Sequence, residues 1–227
     1  MTDASTTSPA AMIRVWDLPT RVFHWSLVAL LILLYITGEN IDSLGEIHMF
    51  LGRVTVALVL ARVIWGFVGS ETSRFANFVK PPQEILAYIK SVRSGEHWTG
   101  LGHNPAGAVM MLGLLALMLL QGFTGLFSYD DGAIVGGPFH DMVSEDTAKI
   151  FTGLHETIFN LAVLLALVHI AAALFYKFVK KDDLIHPLVT GVRPTLPGAV
   201  EPKFASPVLA VGLFVGCLVV IFLMTGV

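Results

Sequence analysis

Hydrophobic residues fall into five long runs, at about 22–38, 48–68, 105–127, 153–178 and 207–226, separated by polar segments rich in Gly, Pro and charge. Each run approaches the roughly 20 residues that a helix needs to cross a hydrocarbon core about 30 Å thick. None shows the alternation of a half-buried strand. The pattern predicts an all-α, polytopic membrane bundle with a four-helix core and a fifth, C-terminal transmembrane helix. It divides the chain into a polar N-terminal segment (1–14), the core domain (15–192), a Pro/Gly-rich linker (193–206) and the last helix (207–227). Trp16, Trp25, Trp65 and Trp98 fall at or beside span ends, as interface anchors or as packing residues. Between the second and third spans, Pro81-Pro82 precedes an amphipathic stretch at 84–90, either a short surface helix or a solvated linker.

Composition narrows the class. The chain has 227 residues, 55% hydrophobic and 14% charged, where a soluble domain carries about 25% charged. A water-soluble globule is excluded. The 14 Lys and Arg against 17 Asp and Glu leave a net charge of -3, with no extended basic face for nucleic acid. Cys217 is the single cysteine, too few for a disulfide, a four-cysteine cluster or covalent Cys-x-x-Cys-His haem attachment. It reads as lipid-facing or packing. Arg14 and Arg21 precede the first span without a small-residue cleavage pattern, so that helix is expected to be retained.

Loop charge predicts the orientation. Arg14, Arg21, Arg74, Lys80, Lys90, Arg93, Lys177, Lys180, Lys181, Arg193 and Lys203 lie on one side, and basic loops stay cytoplasmic. Glu39, Asp42, Glu46, Asp130, Asp131, Asp141, Glu145 and Asp146 face the other side with only Lys149. The expected location is the bacterial inner membrane, with a cytoplasmic N-terminus and a periplasmic C-terminus.

Ionisable residues inside a bilayer are costly and need a partner or a task. His24 lies near the inner end of the first span, His48 opens the second on the outer side, and the fourth carries both His155 and His169. Fourteen residues separate the last two by about 21 Å along a helix and put them on nearly one face. His48 can therefore oppose His155, and His24 can oppose His169. Two bis-histidine levels suit two non-covalent b-type haems, each taking two axial imidazoles. Zinc would need a third or fourth ligand per level, and nothing comparable to Glu156 stands beside His169. Counted from Arg21 and Lys177, His24 lies about 7 Å shallower than His169, a mismatch that helix tilt could absorb.

Arg53 and Arg62 sit within the second span and need anions. Haem propionates fit an Arg fork, with Arg53 near the outer level and Arg62 near the inner one; snorkelling or an acidic partner is the alternative. At the inner start of the third span, Asn104 reads as an N-cap and Pro105 as a first helical residue. His103 beside them would touch a propionate or a quinone carbonyl, or serve only the cap. Gly52, Gly66, Gly113, Gly122 and Gly125 make room for porphyrin edges or for close helix packing. Gly212 and Gly216 give the fifth helix small-xxx-small spacing, and with no ionisable residue it reads as structural or docking. His97, His140 and His186 read as exposed loop residues.

The motifs Val15-Trp16-Asp17-Leu18-Pro19-Thr20-Arg21-Val22-Phe23-His24-Trp25, Gly102-His103-Asn104-Pro105 and Leu154-His155-Glu156, with His169 further on, resemble the prokaryotic di-haem cytochrome b family that includes the b-type subunit of nickel-iron hydrogenases. The likeness covers about residues 12–192; the fifth helix is less typical of the shorter members. It implies His24, His48, His155 and His169 as ligands of two haem b groups, and electron exchange between membrane quinone and a redox partner. That partner would be a periplasmic c-type cytochrome or a hydrogenase-like oxidoreductase, with any quinone oxidoreductase activity belonging to the complex. The acidic outer loop suits a basic partner. Membrane lipid surrounds the bundle, and pairing into a homodimer is compatible with it. The alternative from another class is a proton- or metal-coupled transporter using the same histidines.

Overall fold

A computed structural model describes residues 11–94, 98, 100–132, 134–195 and 198–226. Residues 1–10 of the N-terminal segment, His97 and Pro197 of the linker lie outside the described residues. The elements in chain order are β1 (Met12–Arg14), α1 (Leu18–Gly38), α2 (Ile41–Val68), α3 (Phe75–Phe78), α4 (Pro82–Arg93), α5 (Pro105–Phe127), β2 (Tyr129–Asp130), β3 (Val135–Gly136), α6 (Glu145–Phe178), α7 (Ile185–Thr190), β4 (Val192–Pro194) and α8 (Pro207–Met224). Five of them, α1, α2, α5, α6 and α8, are long and apolar enough to cross a membrane.

Helices α1, α2 and α6 start before their hydrophobic runs, α1 and α6 because a side-chain cap, not hydropathy, sets the start. Asp17 caps α1, its Oδ1 accepting from Thr20 N at 2.7 Å, so the helix starts at Leu18 rather than 22. The polar turn 41–47 winds into α2, giving 28 residues. Ser144 caps α6, with Glu145 and Asp146 in the first turn facing the positive helix end, and adds two turns before 153. In α5 the boundary falls at the expected place: Asn104 Oδ1 accepts from Gly107 N at 2.7 Å, and Pro105 follows.

Packing runs α1 along α2, α2 along α5 and α8, and α5 along α6. Val59, Leu115, Met118 and Ala162 form the buried centre, with Phe23, Leu27 and Leu31 of α1 against it. Of the 34 residues in α6 only Ala148 and Ala162 are buried, so most of that helix is left to lipid or to whatever lies between the hairpins. The stretch at 84–90 is helical within α4. It is tied to the end of α6 by Tyr88 and Tyr176, whose hydroxyls are 2.6 Å apart, and by Lys180 Nζ donating to Val92 O at 2.7 Å.

Two short antiparallel ribbons lie outside the apolar runs and leave the all-α class unchanged. Ile13 of β1 pairs with Arg193 of β4, and Tyr129 of β2 with Gly136 of β3. Ribbons of two or three residues are too short for alternation to register, and tertiary contacts create them. The first closes a clasp at the end that carries the basic loops. Val15 N donates to Gly191 O at 2.8 Å, and Thr72 Oγ1 to Val15 O at 2.7 Å. Asp17 Oδ2 accepts from Trp65 Nε1 at 3.2 Å and from Ser73 Oγ at 3.4 Å, and Arg21 donates to Val189 O at 2.6 Å.

The second ribbon folds over the end that carries the acidic loops, where a Cβ on Gly45 would meet Val135 at 2.8 Å. Lys149 bridges Asp131 at 2.8 Å and Glu145 at 2.6 Å. His140 stacks on Tyr129 and contacts Asp141, which makes it a loop-folding residue.

Candidate functional site

All four membrane histidines meet in facing pairs. The His48 and His155 rings have centroids 6.3 Å apart with planes crossing at 76°, and the His24 and His169 rings 6.4 Å apart at 50°. Two imidazoles bound on opposite sides of one metal at about 2 Å have centroids about 6 Å apart, so both separations suit a shared axial position. The 6.4 Å separation brings His24 and His169 to one level despite the depth mismatch expected for the inner pair.

The outer histidines carry a defined tautomer. His48 Nδ1 lies 3.2 Å from Leu34 O and 3.0 Å from Thr37 Oγ1; His155 Nδ1 lies 3.0 Å from Gln121 O and 3.2 Å from Thr124 Oγ1. A peptide carbonyl only accepts, so each Nδ1 carries the proton and donates. Each Nε2 is then left with its lone pair, the form that binds a metal. Gly38 and Gly125 follow the two threonines, and a Cβ there would meet His48 Cε1 at 3.3 Å and His155 Cε1 at 2.8 Å.

The inner level is built differently. His24 Nδ1, His103 Nδ1 and Arg62 Nη1 are buried without hydrogen-bond partners. Arg62 lies 5.8 Å from the ring centres of both Phe23 and Phe75, with Asp17 as an acidic neighbour. His103 packs between Trp16 and Phe78, each 4.8 Å away. Burial, then the charge of Arg62, lowers its pKa to about 3, so at neutral pH the ring is uncharged, with one nitrogen able to donate and the other to accept. At the outer level Arg53 Nε is likewise buried and unpartnered, and its guanidinium lies 6.0 Å from the Phe222 ring of α8. Among the described residues no carboxylate comes within ion-pair distance of Arg53 or Arg62.

The profile of the family described as prokaryotic cytochrome b561 matches residues 15–191. The chain belongs to that family. As a cytochrome b561 family member it is a multi-pass membrane protein of b-type haem and electron transfer. The chain is similar to the probable Ni/Fe-hydrogenase B-type cytochrome subunit of Bradyrhizobium diazoefficiens, 23% identical over 80% of this chain and 85% of the relative. It is also similar to the probable Ni/Fe-hydrogenase 1 B-type cytochrome subunit of Escherichia coli K12, 24% identical over 85% of this chain and 95% of the relative. Another relative, the probable Ni/Fe-hydrogenase B-type cytochrome subunit of Rhodobacter capsulatus, is 23% identical over 80% and 81%. No solved structure is a significant match.

The donor set of this cytochrome b561 chain fits haem b. Each level presents two opposed imidazoles, and nearby lie unpartnered cationic or N–H groups suited to carboxylates. Among the described residues no cluster of three or more His, Cys, Asp or Glu forms, which disfavours tetrahedral zinc. Thr37 and Thr124 were not singled out from the sequence. Their signal was a Thr-Gly pair near the outer end of both the first and third spans, at unequal distances from the histidines they serve.

Proposed function

We propose that this chain carries electrons across the bacterial inner membrane through two haem b groups, one held by His48 and His155 and one by His24 and His169. The observation that carries the reading is the pair of ring separations, 6.3 and 6.4 Å, at two levels along α6. When bound, haem b supplies a one-electron iron couple whose potential responds to ligands, charge and burial.

The chain's own residues do the rest. The four imidazoles hold and orient the groups, while Arg53, Arg62 and neutral His103 offer donors to carboxylates, or, for His103, to a quinone carbonyl at the inner edge. Quinone is the proposed membrane substrate. The acidic outer face, with Asp130, Asp131, Asp141, Glu145 and Asp146 around Lys149, suits a basic partner on the periplasmic side, whose docking weakens with salt. The hydrogenase-subunit names of its relatives support a hydrogenase-like oxidoreductase as that partner, with a c-type cytochrome as the other candidate. The family's electron-transfer character favours this reading over a proton- or metal-coupled transporter.

Pyridine haemochrome extraction of the purified chain should give two haem b per polypeptide, and His169→Ala should give one. Two haems retained in that variant would overturn the ligand assignment. A colourless protein from haem-sufficient cells would overturn the function.

A further inference from the structure

The geometry points to Thr37 and Thr124 as paired positioning residues that, with the carbonyls of Leu34 and Gln121, orient both outer histidines and tune the outer site apart from the inner one. The inference rests on the two-haem reading. The same arrangement occurs twice, on different hairpins. Each threonine hydroxyl reaches its own helix, Thr37 Oγ1 donating toward Leu33 O or Leu34 O at 2.9 and 3.2 Å and Thr124 Oγ1 toward Leu120 O or Gln121 O at 3.0 and 3.1 Å. With its proton committed there, the hydroxyl oxygen accepts from the histidine Nδ1–H. The carbonyl three residues earlier, Leu34 O or Gln121 O, accepts from the same Nδ1–H.

The glycine after each threonine leaves room for the imidazole edge. At Gly125 a Cβ would come within 2.8 Å of His155 Cε1. The spacing of threonine to histidine is 11 residues in one hairpin and 31 in the other, so no periodic repeat exposes the device.

Among the described residues His24 of the inner pair lacks it, its Nδ1 being buried with no partner. Two acceptors on Nδ1–H raise the basicity of the ligating Nε2. A more basic ligand favours the oxidised iron, so the outer couple is held lower than the same ligands would set without the threonines. The contacts also fix the two ring planes, which cross at 76° outside and at 50° inside.

The test uses the full chain purified in detergent, with Thr37→Val and Thr124→Val singly, and Thr→Ser at each position. Redox titration and low-temperature electron paramagnetic resonance of the oxidised protein are the readouts. Each Val variant is expected to raise one of two midpoint potentials and to shift the largest g value of one of two low-spin signals. The second wave and signal stay in place, and Ser restores the first. Loss of one haem in the Val variant that Ser prevents supports the same assignment. Unchanged potentials and g values, or equal shifts of both waves in Val and Ser alike, would overturn the inference with the two-haem reading intact. A wild-type chain without haem would overturn both.

Discussion

At the residue scale, the chemistry is concentrated in side chains that hydrocarbon would otherwise penalise. A guanidinium in a membrane helix costs at least a few kcal/mol unless it is compensated, and Arg62 is buried with Nη1 unpartnered. A nearby cation favours the reduced form of a haem, which carries one positive charge fewer. Arg62→Ala should therefore lower one midpoint potential, by about 60 mV if the lost interaction is worth about 1.4 kcal/mol for a one-electron couple. A redox titration in which neither wave moves would remove Arg62 from the haem environment. The four histidines and both arginines were legible in the sequence because membrane spans make charge conspicuous. Thr37 and Thr124 were not, because a hydroxyl satisfied by its own helix backbone is unremarkable in an apolar run.

At the scale of elements, the start of α1 is a junction bonded to several parts of the chain. Asp17, only 2% exposed, caps that helix and accepts from Trp65 of α2 and from Ser73 beyond it. The tryptophan and aspartate of the 15–25 motif were the signature of a family; in the fold they belong to a fastening between β1, α1, α2 and the segment after α7. Asp17→Ala removes the cap and strands the Trp65 indole and a backbone N–H, at a cost of about 2–3 kcal/mol. A thermal melt of the purified variant should show the transition several degrees lower with the haem spectrum retained. An unchanged melting temperature would mean that the clasp contributes nothing to stability. Helix ends were misplaced from hydropathy because the apolar run reports the hydrocarbon-facing section, whereas Ser144 and the polar turn at 41–47 decide where winding begins.

For the whole molecule, the loops sort by charge onto two ends. The clasp, α4 and the tail of α6 gather at the basic end, and the β2–β3 ribbon with its acids closes the other. With Cys217→Ser as background, Asp141→Cys should react with an impermeant thiol reagent in intact spheroplasts, and Lys181→Cys only after permeabilisation. The reverse pattern would invert the orientation, and with it the side on which the redox partner docks. The fifth helix takes its place here too: α8 lies along α2, and Phe222 contacts Phe50 at 5.7 Å and faces Arg53, so it borders the outer level without adding a ligand.

The linear chain by itself determined the number of spans, the all-helical class, the two depths of histidine on α6 and the separation of charge between the two ends. Each of these follows from local length, period and polarity. Tertiary structure alone decided that His24 reaches the level of His169, that the carbonyls of Leu34 and Gln121 beside Thr37 and Thr124 set the outer tautomers, and that Asp17 ties the start of α1 to α2 and to Ser73 beyond it. Those facts depend on contacts between residues 11 to more than 100 positions apart, and no local pattern records which surfaces will meet.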